Sequence, residues 1–268
     1  MKEISVPSVR SVFLRPMRSD RVVSAGATGF LVESEGRPFL ITNWHVLSGR
    51  NQLTFQPNNP SGELPDSIEI THHDKVLGNL TTRIEPLYNR DEALWLEHPS
   101  SRRHVDVVAL PLTQIDGVQL YTHDVNPKPM PMQVTNTAFI VGFPYGVKVG
   151  NFTAVWTAGT IASEPQIDFE GLPILLVDGK TRSGQSGSPV IRYVTPGSWV
   201  VIENGLTIAQ TEIIELIGVY SGRINEKSDL GKIWKVSALR EILQSGVAGN
   251  GEYLDPNLPV HPTKWLKG

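Results

Sequence analysis

TRSGQSGSPV, residues 181–190, is the stretch on which the reading of the chain turns. Gly, Ser and Thr dominate it, so it is either a flexible turn or a turn built around one reactive hydroxyl, Ser186. Gly184 and Gly187 flank that serine. Glycine reaches the backbone angles that point consecutive N–H groups into one concavity. Pro189 can open a following strand, because a first strand residue need not donate to the ladder. Accident would give a G-x-S-G-x-P pattern in roughly 1% of chains of this composition. Two other loop motifs do not fit. A nucleophile elbow, G-x-S-x-G, would need Gly where Ser188 stands, with Asp and His to follow, and the only later histidine is His261. A phosphate loop ending at Gly179-Lys180-Thr181 would need Gly where Ile174 stands.

A serine hydroxyl is a poor nucleophile at neutral pH. It needs a neutral imidazole to take its proton, an acid to orient that imidazole, and N–H groups aimed at the developing oxyanion. His45 ends the apolar run PFLITNWHVL (38–47), where it reads either as that base or as a satisfied core histidine. Asp106 opens VDVVALPL (105–112), where an ionised carboxylate is costly to bury unless paired. Taken alone it could equally be a strand-cap charge. A His104–Asp106 metal pair lacks a third ligand nearby, and no metal site or cofactor is expected. His72–His73 is read as a solvated pair, since neighbours on a strand face opposite ways.

Composition narrows the classes. The 268 residues suit one large all-β domain or two small ones, and 40% hydrophobic against 19% charged residues is enough for a core. A net charge of −3 with no basic run beyond pairs such as Arg102–Arg103 argues against a nucleic-acid partner. The absence of cysteine excludes disulfides, thiolate nucleophiles and Cys-based zinc sites. MKEISVPSVRSVF lacks a signal-peptide pattern, and no run approaches the ~18 apolar residues of a membrane span. A cytoplasmic protein with no membrane partner is therefore the expectation.

Short Val-, Ile-, Thr- and Phe-rich segments recur between Gly and Pro, which argues for a barrel or sandwich. Segments 27–34 and 38–47 form an expected hairpin joined at Gly36–Arg37. Ser237 is the expected N-cap of a helix over about 238–245, its Leu239, Ile242 and Leu243 face docking on the core. Residues 113–134 read as a crossover, and 247–268 as a Gly/Pro-rich tail that wraps the surface or frays.

The order His45, Asp106, Ser186 is neither the hydrolase nor the subtilisin order but the chymotrypsin one. Here the sequence resembles the trypsin/chymotrypsin-like serine proteases, and within them the disulfide-free bacterial branch similar to the protease domain of high-temperature-requirement-type enzymes. ITNWHVL resembles the T-A-A-H-V histidine motif, with Asn43 and Trp44 in place of the alanines. VDVVALPL resembles the acid motif with one apolar residue inserted, and GQSGSPV resembles G-[DN]-S-G-[GS]-P. VGFPYG (141–146) and TAGTIAS (157–163) resemble elements that open the second barrel, and IGVYSGR (217–223) resembles the strand lining the primary specificity pocket.

The resemblance implies an all-β fold of two packed antiparallel six-stranded β-barrels with a short C-terminal helix. Its first barrel would cover about 22–112, its second about 135–235. It implies a serine endopeptidase cutting a protein or peptide through His45, Asp106 and Ser186, with an acyl-enzyme intermediate and an oxyanion hole from the N–H groups of Gly184 and Ser186. Ser221 would hydrogen-bond Asp106. Lys180, Arg182, Tyr220, Ser221, Gly222 and Arg223 would stand near the substrate. The three cations read either as a preference for acidic or polar residues or as solvated loop charges. Gln185 replaces an Asp that secreted members pair with a newly cut N-terminus, so activation by that route is not expected. Trp44 and Gln185 also motivate a competing reading, a catalytically weak binding or scaffold module. The oligomeric state is left open.

Overall fold

In a computed structural model, residues 4–250 are described, apart from 77, 91, 128, 129, 151, 203, 204 and 226. The hairpin forms between strands Ala27–Ser34 and Arg37–Thr42. Its turn is Glu35–Gly36, one residue earlier than expected, with φ of 51° and 73°. Two central residues at positive φ give the turn whose twist matches that of its strands.

This hairpin is the centre of an 11-stranded sheet. Its main path runs Val247–Asn250, Glu92–Glu97, Val108–Pro111, Arg37–Thr42, Ala27–Ser34, Ser11–Arg18, Ser67–His73 and Leu80–Pro86. The sheet is open, which corrects the expectation of two closed six-stranded barrels. The reason lies in strand Glu92–Glu97. One of its edges pairs with Tyr88–Asn89 and Val108–Pro111, and the other is taken by Val247–Asn250. A strand has two edges, so none is left for Leu80–Pro86 to close the ring. The second unit does close. Thr137–Gly142, Val155–Ile161, Ile174–Asp178, Leu230–Lys235, Ile213–Arg223 and Pro189–Val194 form a six-stranded barrel. A separate hairpin, Trp199–Ile202 with Gly205–Ile208, projects from it.

The crossover contributes a strand as well. Thr122–His123 runs parallel to Ala27–Ser34. The start of the expected tail is also ordered as strand Val247–Asn250, while the remainder of that tail, with His261, lies outside the described residues. Among the described residues, no helix is long and apolar enough to cross a membrane.

One apolar cluster joins sheet to barrel. Phe13, Phe30 and Ile41 meet Val141, Phe143, Leu216 and Val219 there, together with Ala238, Leu239 and Ile242 of the helix Val236–Ser245. Full burial of Leu239 and Ile242 contributes about 1.5–3 kcal/mol apiece. The helix begins two residues earlier than expected, and Ser237 lies inside it. Its N-cap is Lys235, the last residue of the preceding strand, whose N–H donates to the Pro173 carbonyl, so the barrel strand itself launches the helix.

His72 and His73 are both buried, against the expectation of a solvated pair. Neighbours on a strand point to opposite faces, so both faces are covered at this end of it, with Tyr121 of the crossover packed edge-on against His73 at 5.9 Å. Burial, and secondarily Arg83, lowers the His72 pKa to about 4. Burial, then Arg10, lowers that of His123 to about 3. An imidazole depressed in the native state is protonated first in the unfolded chain. Stability is therefore complete above the ordinary value of about 6.5 and falls as pH drops toward 4, by up to about 1.4 kcal/mol per pH unit per histidine. His123 packs edge-on against Phe30. Thermal melts of His123→Phe between pH 7 and 4.5 are expected to show a shallower loss of Tm than the native chain. Equal slopes would remove His123 from the acid response.

Candidate active site

Asn43 N-caps the short helix Trp44–Ser48, which places His45 in its first turn. The Asn43 side chain is fully buried and donates from Nδ2 to the Asp106 carbonyl at 2.7 Å. This ties the helix start to the chain entering strand Val108–Pro111. Asp106 is 2% exposed. Its Oδ1 accepts the His45 N–H at 3.0 Å. Its Oδ2 lies 2.8 Å from His45 Nδ1 and accepts the Ser221 hydroxyl at 2.6 Å. A carboxylate only accepts, so in the neutral imidazole Nδ1 carries the proton and Nε2 the lone pair. Charge-assisted bonds of this kind contribute about 1.5–3 kcal/mol each, against several kcal/mol for taking the carboxylate out of water.

Trp44 points away from the cleft. It is fully buried, with Phe55 at a centroid distance of 6.1 Å and its Nε1 donating to Glu97 Oε1 at 2.9 Å. The indole of Trp95 donates to the same oxygen at 3.2 Å. The bulk beside His45 is thus absorbed by the sheet interior.

Ser186 comes from the barrel side. Tyr220 accepts the Gly187 N–H at its carbonyl and donates its own N–H to the Ser188 carbonyl, both at 2.9 Å. These bonds zip the loop to strand Ile213–Arg223. On the sheet side, Thr28 N–H donates to the Ser186 carbonyl at 3.0 Å and Thr28 Oγ1 to the Gly184 carbonyl at 2.8 Å. Gly187 has φ of 81°, and a Cβ there would lie 2.2 Å from both Thr28 O and Thr42 Oγ1. Only glycine permits that conformation and that approach. Ser188 is accommodated because it faces Gly142, where a Cβ would lie 2.0 Å from its Oγ.

Two peptide planes of the loop are fixed by their carbonyls. The Ser183 carbonyl accepts the Tyr145 N–H at 2.7 Å, which turns the trans-linked Gly184 N–H the opposite way. The Gln185 carbonyl accepts the Ser188 N–H at 3.0 Å and orients the Ser186 N–H likewise. Among the described residues neither N–H has a protein acceptor. Gln185 is fully buried. Its Oε1 accepts the Arg182 N–H at 2.7 Å and its Nε2 donates to Thr157 Oγ1 at 2.9 Å.

His45, Ser183, Gly184 and Ser186 line one cleft of about 400 Å³. A second cavity of about 360 Å³, on the far side of His45, is lined by Asn51, Gln52, Asp106, Ser221 and Lys232. Lys180, Arg182 and Arg223 are exposed, and Arg182 folds back to donate to the Thr181 carbonyl at 2.8 Å. Gly222 is half-buried on the strand beside Ser221. The roles of Thr28 and Asn43 escaped the sequence reading. Each is a small polar residue in an apolar stretch, and only the fold shows which backbone groups it meets. No cluster of His, Asp or Glu among the described residues is arranged to hold a metal.

A closed barrel facing an open sheet, with a histidine paired to a buried carboxylate across the seam from a glycine-flanked serine, defines a hydrolase fold of serine-protease type. The chain belongs to the trypsin-like peptidase domain family, whose model matches residues 27–198. Among solved structures it is similar in fold to the serine endoprotease from Yersinia pestis, with a TM-score of 0.50 and 16% identity over 88% of this chain and 62% of that one. The chain thus spans 62% of that protein's length. The Rv3671c protease from M. tuberculosis, active form, matches with a TM-score of 0.48 and 16% identity over 91% of this chain and 83% of that one. Comparison with curated protein sequences returned no match.

Replacing Gly187 by Ala tests the seam. The clash with Thr28 and the strained φ are expected to cost on the order of 1–3 kcal/mol, read as a lower urea midpoint at unchanged m. An unshifted midpoint would show that the loop does not need this approach.

Proposed function

We propose that the protein hydrolyses peptide bonds in a protein or peptide substrate, with Ser186 as nucleophile, His45 as base and Asp106 as its orienting acid. The observation that carries this reading is that His45, held 2.8 Å from Asp106, lines the same cleft as Ser186. Ser186 Oγ attacks the substrate carbonyl while its proton passes to His45 Nε2. The tetrahedral oxyanion is met by the N–H groups of Gly184 and Ser186, each donor contributing about 2.7–4 kcal/mol in such sites. His45 then protonates the leaving amine as the C–N bond breaks, leaving an acyl-enzyme. Water, deprotonated by His45, attacks the ester and returns Ser186 to its hydroxyl form. Asp106 holds the Nδ1–H tautomer throughout and stabilises the imidazolium as it forms.

The experiment is labelling with a fluorophosphonate probe, followed by peptide mapping. The native chain is expected to carry the label on Ser186, and Ser186→Ala to lose both label and turnover of an unfolded casein. Label retained in Ser186→Ala would assign another nucleophile. Asp106→Asn is expected to fold and to lower kcat by roughly 10⁴-fold, the cost of a wrongly held imidazole. A loss below tenfold would take Asp106 out of the mechanism.

A further inference from the structure

On that reading of Ser186, the residue whose carbonyl is attacked must place its side chain in a definite wedge. Loop and strand are zipped at Gly187 and Ser188 against Tyr220, and they separate beyond it. The wedge lies between Thr181–Ser183 on one side and Ser221–Arg223 on the other. Its floor is Gly231 of the neighbouring strand, paired opposite Arg223. In this chain the wedge is full. Tyr220 is 2% exposed and Thr181 1% exposed, and their hydroxyls are hydrogen-bonded to each other. The ring lies over the floor: a Cβ on Gly231 would stand 2.6 Å from Tyr220 Cε2 and 3.3 Å from its hydroxyl oxygen. The open volume beside Ser186 lies elsewhere, against Ala25, Ala27, Asn59, Glu63 and Pro65 of the sheet side.

We propose that Tyr220 plugs the pocket for the residue on the amino side of the cleaved bond, so that only small side chains such as Ala, Ser or Val are accepted there. The ring occupies the volume a long side chain would need. Its tie to the buried Thr181 hydroxyl opposes rotation, because leaving would strand two polar groups. A filled, close-packed wall rejects added atoms as strongly as a core does. Lys180 and Arg223 then lie outside the pocket, in solvent at its rim.

The test is cleavage of a peptide library varied only at the residue preceding the scissile bond, run beside fluorophosphonate labelling. The native chain is expected to favour Ala over Phe or Lys by ~100-fold in kcat/KM. Tyr220→Phe keeps the ring and should keep that ranking. Tyr220→Val empties the wedge and should raise Phe relative to Ala by at least ~10-fold. Where Tyr220→Val does not fold, the native and Tyr220→Phe rankings decide. A native chain labelled on Ser186 that cuts Phe or Lys peptides as well as Ala ones overturns the plug and leaves the nucleophile standing. A labelled chain that cuts no library peptide overturns it equally. Absence of label on Ser186 overturns both, since the pocket is defined by that serine.

Discussion

The Asp106 carboxylate is the constraint around which the molecule is assembled. At 2% exposure it cannot draw on water, and each of its oxygens must find a donor within the protein. The donors come from distant parts of the chain. The His45 N–H and imidazole arrive on a helix capped by Asn43, and the Ser221 hydroxyl arrives on a barrel strand. Meeting the demand of one anion therefore fixes the helix after Arg37–Thr42 and the end of Ile213–Arg223 against each other. The tautomer of His45 follows from the same requirement, so stability and chemistry share one set of bonds.

The seam between sheet and barrel is governed by a second constraint, close backbone approach. Gly187 and Gly142 remove side chains where Thr28, Thr42 and Ser188 press in. Thr28 spends its hydroxyl twice, donating to the Gly184 carbonyl and accepting the Phe143 N–H at 3.0 Å. The Ser186 loop is thus held on both sides by backbone-directed bonds, with the apolar cluster of Phe13, Phe143 and Val219 beneath it. Rigid placement of this kind is what a nucleophile and its acceptor groups require, because small displacements cost large factors in rate.

Much of this was legible in the sequence and some was not, for physical reasons. The hairpin announced itself by two apolar segments flanking Gly36, and the helix by its apolar face. His45, Asp106 and Ser186 stood out because each is a reactive residue in an apolar or glycine-bounded setting, and the fold brings the first two into contact and sets the third in a cleft that His45 also lines. The open sheet was not legible. It depends on Val247–Asn250, four residues of weak pattern, occupying an edge more than a hundred residues distant in the chain. The burial of His72 and His73 was hidden likewise, since period-two alternation gives one covered face and says nothing of a strand covered on both. The resemblance sets Tyr220 near the substrate without saying what its side chain does there. Only the register against Gly231 shows what its ring displaces.

Gln185 brings these threads together. Its position at the heart of the loop calls for a buried polar group able to bond the loop backbone on one side and a strand side chain on the other. A charged side chain there would need a partner of opposite sign to offset its desolvation. An amide does not, and the Arg182 N–H and Thr157 hydroxyl satisfy it with one acceptor and one donor bond. The order of the loop then rests on neutral groups already present in the folded chain. None of these groups carries a charge. TRSGQSGSPV is therefore held in place from within, by an amide at its centre and by two glycines that let the sheet and barrel close upon it.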